Sequence, residues 1–195
     1  MSIAGNYIFF QVWAEKEKQR VNLEDQSQKL KELANRDALT GAYNFRHFKD
    51  KFPVLVENAK KQSSPISLCL MDLDDFKSIN DNYGHVVGNH VLEYVSQCLT
   101  SSIRYKDAIF RIGGDEFAIS LPDASSDHAR QIMERFQNKL TSMEPRKKIP
   151  QIYCSMGIAE YCPQLPTADA ILGAADHALY KAKESKENKV VVFIP

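Results

Sequence analysis

Apolar residues recur along this chain with two periods, and the change from one to the other marks its elements. From Glu15 to Asn35 the sequence is polar, charged and free of Gly and Pro, with Leu23, Leu30 and Leu33 spaced as a thin helical seam. This predicts a connector helix. Lys16, Gln19 and Gln26 occupy other seam positions, so a weak dimerising or signal-relaying helix is expected rather than a strong coiled coil. Asp37 to Gly41 breaks the helix. Phe45, Phe48, Phe52, Leu55, Val56 and Ala59 follow helical spacing again, and Pro53 is expected to kink or restart that element. Ile66 to Met71 is an apolar run that stops at the carboxylates from Asp72 on, the pattern of a buried strand over Ile66 to Asp72. A short helix is predicted around Asp75 to Asn82, carrying Phe76 and Ile79 inward and leaving Lys77 and Asn80 near the strand end. A second follows Gly84 on Val87, Val91, Leu92, Val95 and Leu99.

Further on, Ala108-Ile109-Phe110 leads into two glycines, two adjacent carboxylates and another apolar run, which predicts a β-hairpin. Ser125 or Ser126 is placed to cap a helix whose inward face is Ala129, Ile132, Met133, Phe136 and Leu140. A strand lies within Ile149 to Ala159, an alanine-rich helix runs from Thr167 through Lys183, and Val190 to Ile194 ends the chain as a strand. Strand, helices, hairpin, helix, strand, helix, strand is the order of an α/β protein built as a ferredoxin-like α+β sandwich, with helices on the sheet.

The hairpin turn carries the chemistry. In Arg111-Ile112-Gly113-Gly114-Asp115-Glu116 the glycines are expected to allow φ > 0 and close approach of another molecule, while Asp115 and Glu116 offer anionic oxygens beside the opening. Alone, the pattern equally fits an ordinary Gly-Gly hairpin followed by two solvated acids. Asp72 ends a neighbouring strand with a carboxylate, and Mg²⁺ bound to nucleotide phosphates takes one or two protein carboxylates, so Asp72 and Asp115 would suffice.

Composition narrows the partners. A chain of 195 residues suits one domain and an appendage, divided here into a connector over residues 1–35 and a domain over 36–195. Lys plus Arg equals Asp plus Glu at 25 each, so no general basic field for nucleic acid exists and a small partner is expected. Cys69, Cys98, Cys154 and Cys162 show no C-x-x-C spacing, which points to reduced thiols and a cytoplasmic setting. Ile3 to Trp13 is apolar but short of the roughly 20 residues of a membrane span. It reads either as a packing segment or as the stub of a membrane helix in a longer parent with an upstream sensor.

Gly113-Gly114-Asp115-Glu116-Phe117 resembles the signature of the GGDEF family, the bacterial diguanylate cyclases. Other blocks match in order: Asp37-Ala38-Leu39-Thr40-Gly41 with Asn44 and Arg46, then Asp72-Leu73-Asp74 with Phe76-Lys77, Asn80-Asp81, Gly84-His85 and Gly88, and finally Asp176, Ala178-Leu179-Tyr180 and Ala182-Lys183. The resemblance covers roughly residues 36 to 193. It implies a nucleotidyl-cyclase or polymerase-palm type of fold that condenses two GTP into cyclic di-GMP with release of pyrophosphate, as a homodimer of facing half-sites. By resemblance Asp72, Asp115 and the Leu73 carbonyl would hold Mg²⁺ or Mn²⁺, and Glu116 would act as general base or orient the attacking hydroxyl. Lys77, Lys183 and Arg111 would meet the phosphates at Gly113 and Gly114, and Asn80 with His85 nearby would read guanine. Without the family match, Lys77 and Lys183 read as solvated helix lysines.

Two positions depart from the family. Its usual Gly-Asp after Gly-His is Gly88-Asn89 here. A carboxylate offers two acceptors to the guanine edge and an amide only one, so guanine preference is expected to weaken and ATP to become acceptable, unless Asn89 rotates or a water bridges. Its Gly-Arg-Asn ending is Lys186-Glu187-Asn188, which removes an arginine expected on phosphate and puts rate rather than fold at issue. Arg104-Tyr105-Lys106-Asp107 resembles the family's Arg-x-x-Asp inhibitory product site, with Arg135 completing it from a neighbouring domain. The rival reading is a catalytically weak GGDEF domain that serves as a nucleotide or cyclic di-GMP receptor.

Overall fold

In this computed structural model, residues 3–142, 151–185 and 189–195 are described. The chain divides into two compact units, residues 1–36 and residues 37–195. The first is a single helix, α1 (Ile3–Ala34), longer at its N-terminal end than the sequence pattern indicated. Its charged face is laced by Arg20–Glu24 and Lys29–Asp25 pairs one turn apart, and Leu23, Leu30 and Leu33 are all exposed. Among the described residues no helix is long and apolar enough to cross a membrane.

The second unit is built on one six-stranded sheet in the order β1-β3-β4-β2-β5-β6. Its elements are β1 (Tyr43–Asn44), α2 (Phe45–Gln62), β2 (Ile66–Leu73), α3 (Phe76–Tyr83), α4 (His85–Thr100), β3 (Ala108–Arg111), β4 (Glu116–Pro122), α5 (Ser126–Ser142), β5 (Cys154–Glu160), α6 (Ala168–Glu184) and β6 (Val190–Val192). The central strand β2 is antiparallel to both β4 and β5, while the outer pairs β1–β3 and β5–β6 are parallel.

Alternation along the strands sorts the core into two layers. Cys69, Met71 and Leu73 of β2 face α3, α4 and α5, together with Phe117, Ile119 and Met156. Ile66, Leu68 and Leu70 face α2 and α6, together with Phe110, Ala118 and Ala159. The same parity puts Asp72 and Glu116, directly opposite each other in register, on the α2/α6 face at the strand ends. On that face Gly157 of β5 lies against the backbone of α6, where a Cβ would collide with Leu179 N and Ala175 O. Sheet and helix therefore touch main chain to main chain.

Some expectations change. The helix expected to be interrupted at Pro53 is one element of 18 residues, with Phe48, Phe52, Val56 and Ala59 buried as anticipated. Burial of that face outweighs the one hydrogen bond that proline removes. β1 has only two residues and no periodicity to reveal it. Ser125 rather than Ser126 supplies the α5 cap, its Oγ accepting from His128 N at 3.3 Å, while Ser126 N donates to Glu160 Oε2 at 2.8 Å. Cys69, Cys98 and Cys154 are buried free thiols, and burial pushes the Cys69 and Cys154 thiols up, out of the reactive range.

Candidate active site

The β3–β4 turn closes through Ile112 N and Gly113 N, both donating to Glu116 O, at 3.0 and 3.4 Å. Leu73 N donates to Asp115 O at 3.3 Å and so ties the turn to the end of β2. Gly113 and Gly114 do not occupy the left-handed region; that conformation falls to Gly41 (φ +70) and Gly84 (φ +84). What Gly113 supplies is space, because a Cβ there would overlap the Glu116 carboxylate. Gly114 has no atom within 4 Å of a built Cβ.

The turn is braced from far away in sequence. Arg111 donates through Nη2 and Nε to Gly114 O at 2.7 and 3.2 Å, and through Nη1 to Asp37 Oδ1 at 3.0 Å. Thr40 N and Oγ1 also donate to Asp37 Oδ1, at 2.9 and 2.6 Å. Partial burial works against the Asp37 charge, but the Thr40 bonds and the Arg111 guanidinium outweigh it and hold the carboxyl below its ordinary range. The Asp37–Gly41 block is thus a folded turn whose carboxylate clamps the arginine that clamps the hairpin. Arg111, expected on phosphate, has its guanidinium engaged in this brace.

At the end of β2, Asp72 Oδ2 meets Lys183 Nζ of α6 at 2.9 Å. Burial lifts Asp72 above the usual carboxylate range; Lys183 opposes the rise, while Asp115 and Asp74 add to it. Burial also works against the Lys183 charge, but Asp72, Glu116 and Asp115 outweigh it and hold the ammonium above its ordinary value. Asp72, Asp115, Glu116 and Lys183 therefore form one electrostatic group. Asp75, in the left-handed region at φ +55, turns the chain straight from β2 into α3.

α3 and α4 form a second wall. Lys77 is exposed in the first turn of α3. The Asn80 side chain lies over Gly88, where a Cβ would overlap its Oδ1, and Gly84 N donates to Asn80 O at 2.9 Å. Gly88 thus lets α4 approach Asn80, and Gly84, at φ +84, turns the chain from α3 into α4, leaving His85 and Asn89 exposed on the first turns of α4. Lys186, Glu187 and Asn188 lie outside the described residues.

Arg104, Asp107 and Arg135 gather at the other end of β3, separated from the turn by a four-residue strand, roughly 13 Å. Arg104 N and Nε approach Asp107 Oδ2 at 2.8 and 3.5 Å, and Arg135 Nη2 donates to Ser102 O at 2.9 Å. Asp107 Oδ1 is buried without a partner.

The family model described as "Diguanylate cyclase, GGDEF domain" matches residues 34–189. The chain belongs to the GGDEF family. It is 37% identical over 166 residues to "Probable diguanylate cyclase DgcT" of Escherichia coli (strain K12), covering 83% of this chain and 36% of that protein. To "Response regulator PleD" of Caulobacter vibrioides (strain NA1000 / CB15N) it is 34% identical over 164 residues, 82% of this chain and 36% of that protein. The chain thus spans well under half the length of these relatives. Among solved structures, the coiled coil and GGDEF domain of DgcB from Caulobacter crescentus in complex with c-di-GMP aligns with TM-score 0.83 at 25% identity, covering 94% of this chain and 98% of that one. SiaD from Pseudomonas aeruginosa in complex with its activator SiaC aligns with TM-score 0.82 at 27% identity, covering 97% and 73%.

Within this GGDEF domain two groups near the site, Ser155 and Lys189, escaped the sequence pattern, while Asp37 lies in a matched family block that gives it no role. Ser155 lies directly opposite Asp72 on β5, and its Oγ donates to Asp74 Oδ1 at 2.7 Å. Lys189 Nζ stands 3.1 Å from Asp74 Oδ2. The two-residue spacing of Asp72 and Asp74 at the end of an apolar run was the available signal.

Proposed function

We propose that this chain is the catalytic unit of a diguanylate cyclase, joining two GTP molecules into cyclic di-GMP. The observation that carries the reading is the strand-end pair Asp72–Glu116, in register on one sheet face, with Asp115 beside it and the Lys183 ammonium 2.9 Å from Asp72. In each bond-forming step a 3′-hydroxyl oxygen attacks the α-phosphorus of the other GTP, the bond to the β-phosphate breaks, and pyrophosphate leaves. One domain carries one such set of groups, so two facing domains are required.

The donor set fits a hard divalent cation. Asp72, Asp115 and the Leu73 carbonyl would supply oxygen ligands, and the upward shift of Asp72 reflects burial and crowded negative charge that a cation would relieve. Phosphate oxygens and water would complete the coordination of such an ion. Mg²⁺ or Mn²⁺ bound there supplies charge neutralisation at the phosphates. Glu116 takes or orients the proton of the attacking hydroxyl, its carboxylate seated against Gly113. Lys183 and Lys77 offset phosphate charge, Arg111 keeps the turn in shape, and Asn80 with Asn89 and His85 meets the base. Arg104 and Asp107, with Arg135 of a neighbouring domain, form the inhibitory product site, where the part-exposed Arg104 guanidinium suits the edge of guanine and the buried Asp107 holds Arg104.

The test is incubation of the purified chain at high concentration with Mg²⁺ and GTP, with products identified by mass. Cyclic di-GMP that vanishes in Glu116→Gln supports the cyclase. Absence of any cyclic product, with cyclic di-GMP binding that Arg104→Ala removes, would make this a receptor instead.

A further inference from the structure

Two lysines, one near the end of α6 and one just before β6, grip two carboxylates at the end of β2: Asp72 within the strand and Asp74 just past it. Lys183, near the end of α6, pairs with Asp72 at 2.9 Å, and Lys189, just before β6, pairs with Asp74 at 3.1 Å. Asp74 Oδ2 is shut from solvent and has no aligned hydrogen-bond donor, so the Lys189 ammonium is the charge that compensates it. Its other oxygen accepts from the fully buried Ser155 Oγ, which Lys189 Nζ also approaches at 3.4 Å. The backbone joins in: Asp74 N donates to Tyr153 O at 2.9 Å, and Met156 N to Lys189 O at 2.7 Å.

From this we infer that Asp74, Ser155 and Lys189 are positioning residues that reserve Lys183 for the nucleotide phosphates, an assignment that rests on the cyclase reading above. Residues two apart in the chain stand at most about 7 Å apart, within the sweep of a lysine side chain. An uncompensated buried carboxylate at Asp74 draws Lys183 away from Asp72. Lys189 removes that competitor and ties the start of β6 to the end of β2. Asp74 belongs to the block Asp72-Leu73-Asp74 yet takes no part in the reaction itself; its function is to hold Lys189.

The test measures affinity by calorimetry, using the full chain, Mg²⁺ and 3′-deoxy-GTP, which lacks the attacking hydroxyl. Lys189→Met is expected to weaken binding about tenfold, the effect of leaving a buried charge without its partner. Removing both charges in Asp74→Asn/Lys189→Met should restore affinity to within about threefold of the parent. Lys183→Met/Lys189→Met should bind no more weakly than Lys183→Met, because Lys189 acts through Lys183. Thermal melts of each variant separate loss of fold from loss of positioning. Unchanged affinity in Lys189→Met, losses that multiply in the double lysine variant, or a well-folded charge-neutral pair that stays weak would each overturn this assignment alone. No binding by the parent chain would remove the cyclase reading and this assignment with it.

Discussion

Lys183 of α6 and Asp72 of β2 are joined by an ion pair of 2.9 Å, yet Asp72 holds its proton more readily than an ordinary aspartate. Burial outweighs the lysine, with Asp115 and Asp74 adding to the rise. The ionised strand end is therefore a stability cost, of the kind expected where a protein keeps charge for a task.

Asp72→Asn should stabilise the metal-free chain while abolishing cyclisation. Because the folded pKa lies above the unfolded one, protonation favours the fold, and the penalty sets in as pH rises from the unfolded value through the folded one. At pH 7 the variant is expected to melt about 2–4 °C above the parent, and the two should converge in acid. A lower melting temperature at pH 7 would contradict this account.

Asp37 carries the opposite sign. Its folded pKa is depressed, so its contribution is fully present above the unfolded pKa and is lost as pH falls through the folded one. Asp37→Asn should cost about 1–3 kcal/mol at pH 7, measured by urea unfolding, and almost nothing below the folded pKa. Arg111→Lys should recover little of what Arg111→Ala loses, since one ammonium cannot reach both Gly114 O and Asp37 as the guanidinium does.

The two signature glycines should respond differently to one methyl group. Gly113→Ala forces the Glu116 carboxylate to move and is expected to lower kcat by about tenfold to a hundredfold with Tm little changed, because a side chain gives way more easily than backbone. Gly114→Ala meets no atom within 4 Å and should leave stability intact. Comparable kcat losses in both variants would show that backbone freedom, rather than space for Glu116, is what the pair supplies.

Asn89 sits exposed on the first turn of α4, on the wall formed with Asn80. Asn89→Asp is expected to raise the preference for GTP over ATP by about tenfold in competition turnover, by restoring a second acceptor for guanine. Equal selectivity in parent and variant would remove Asn89 from base recognition.

Much of this architecture was readable in advance, for reasons that differ by element. β2 announces itself because both its faces are buried and its apolar residues run on, α5 and α6 because each buries one face, and α6 starts after Thr167 where the sequence placed it. β1 is too short to carry a period, and α2 tolerates Pro53 because four buried residues hold it. The acidic cluster was legible because its residues end strands. The Arg111 brace was not, since Asp37 lies 74 positions away and only the fold brings them together. Lys189 likewise looks like any surface lysine until β6 is set beside β5.

Gly157 holds no charge and touches no reacting group, but it sets where α6 can lie. Leu179, whose backbone a side chain at 157 would strike, is one helical turn before Lys183. A single methyl there would act as an inhibitor written into the chain, displacing the lysine while every signature residue stayed in place. For reading related genes this makes position 157 a silent marker: the five-letter signature could survive there long after the reaction had been lost.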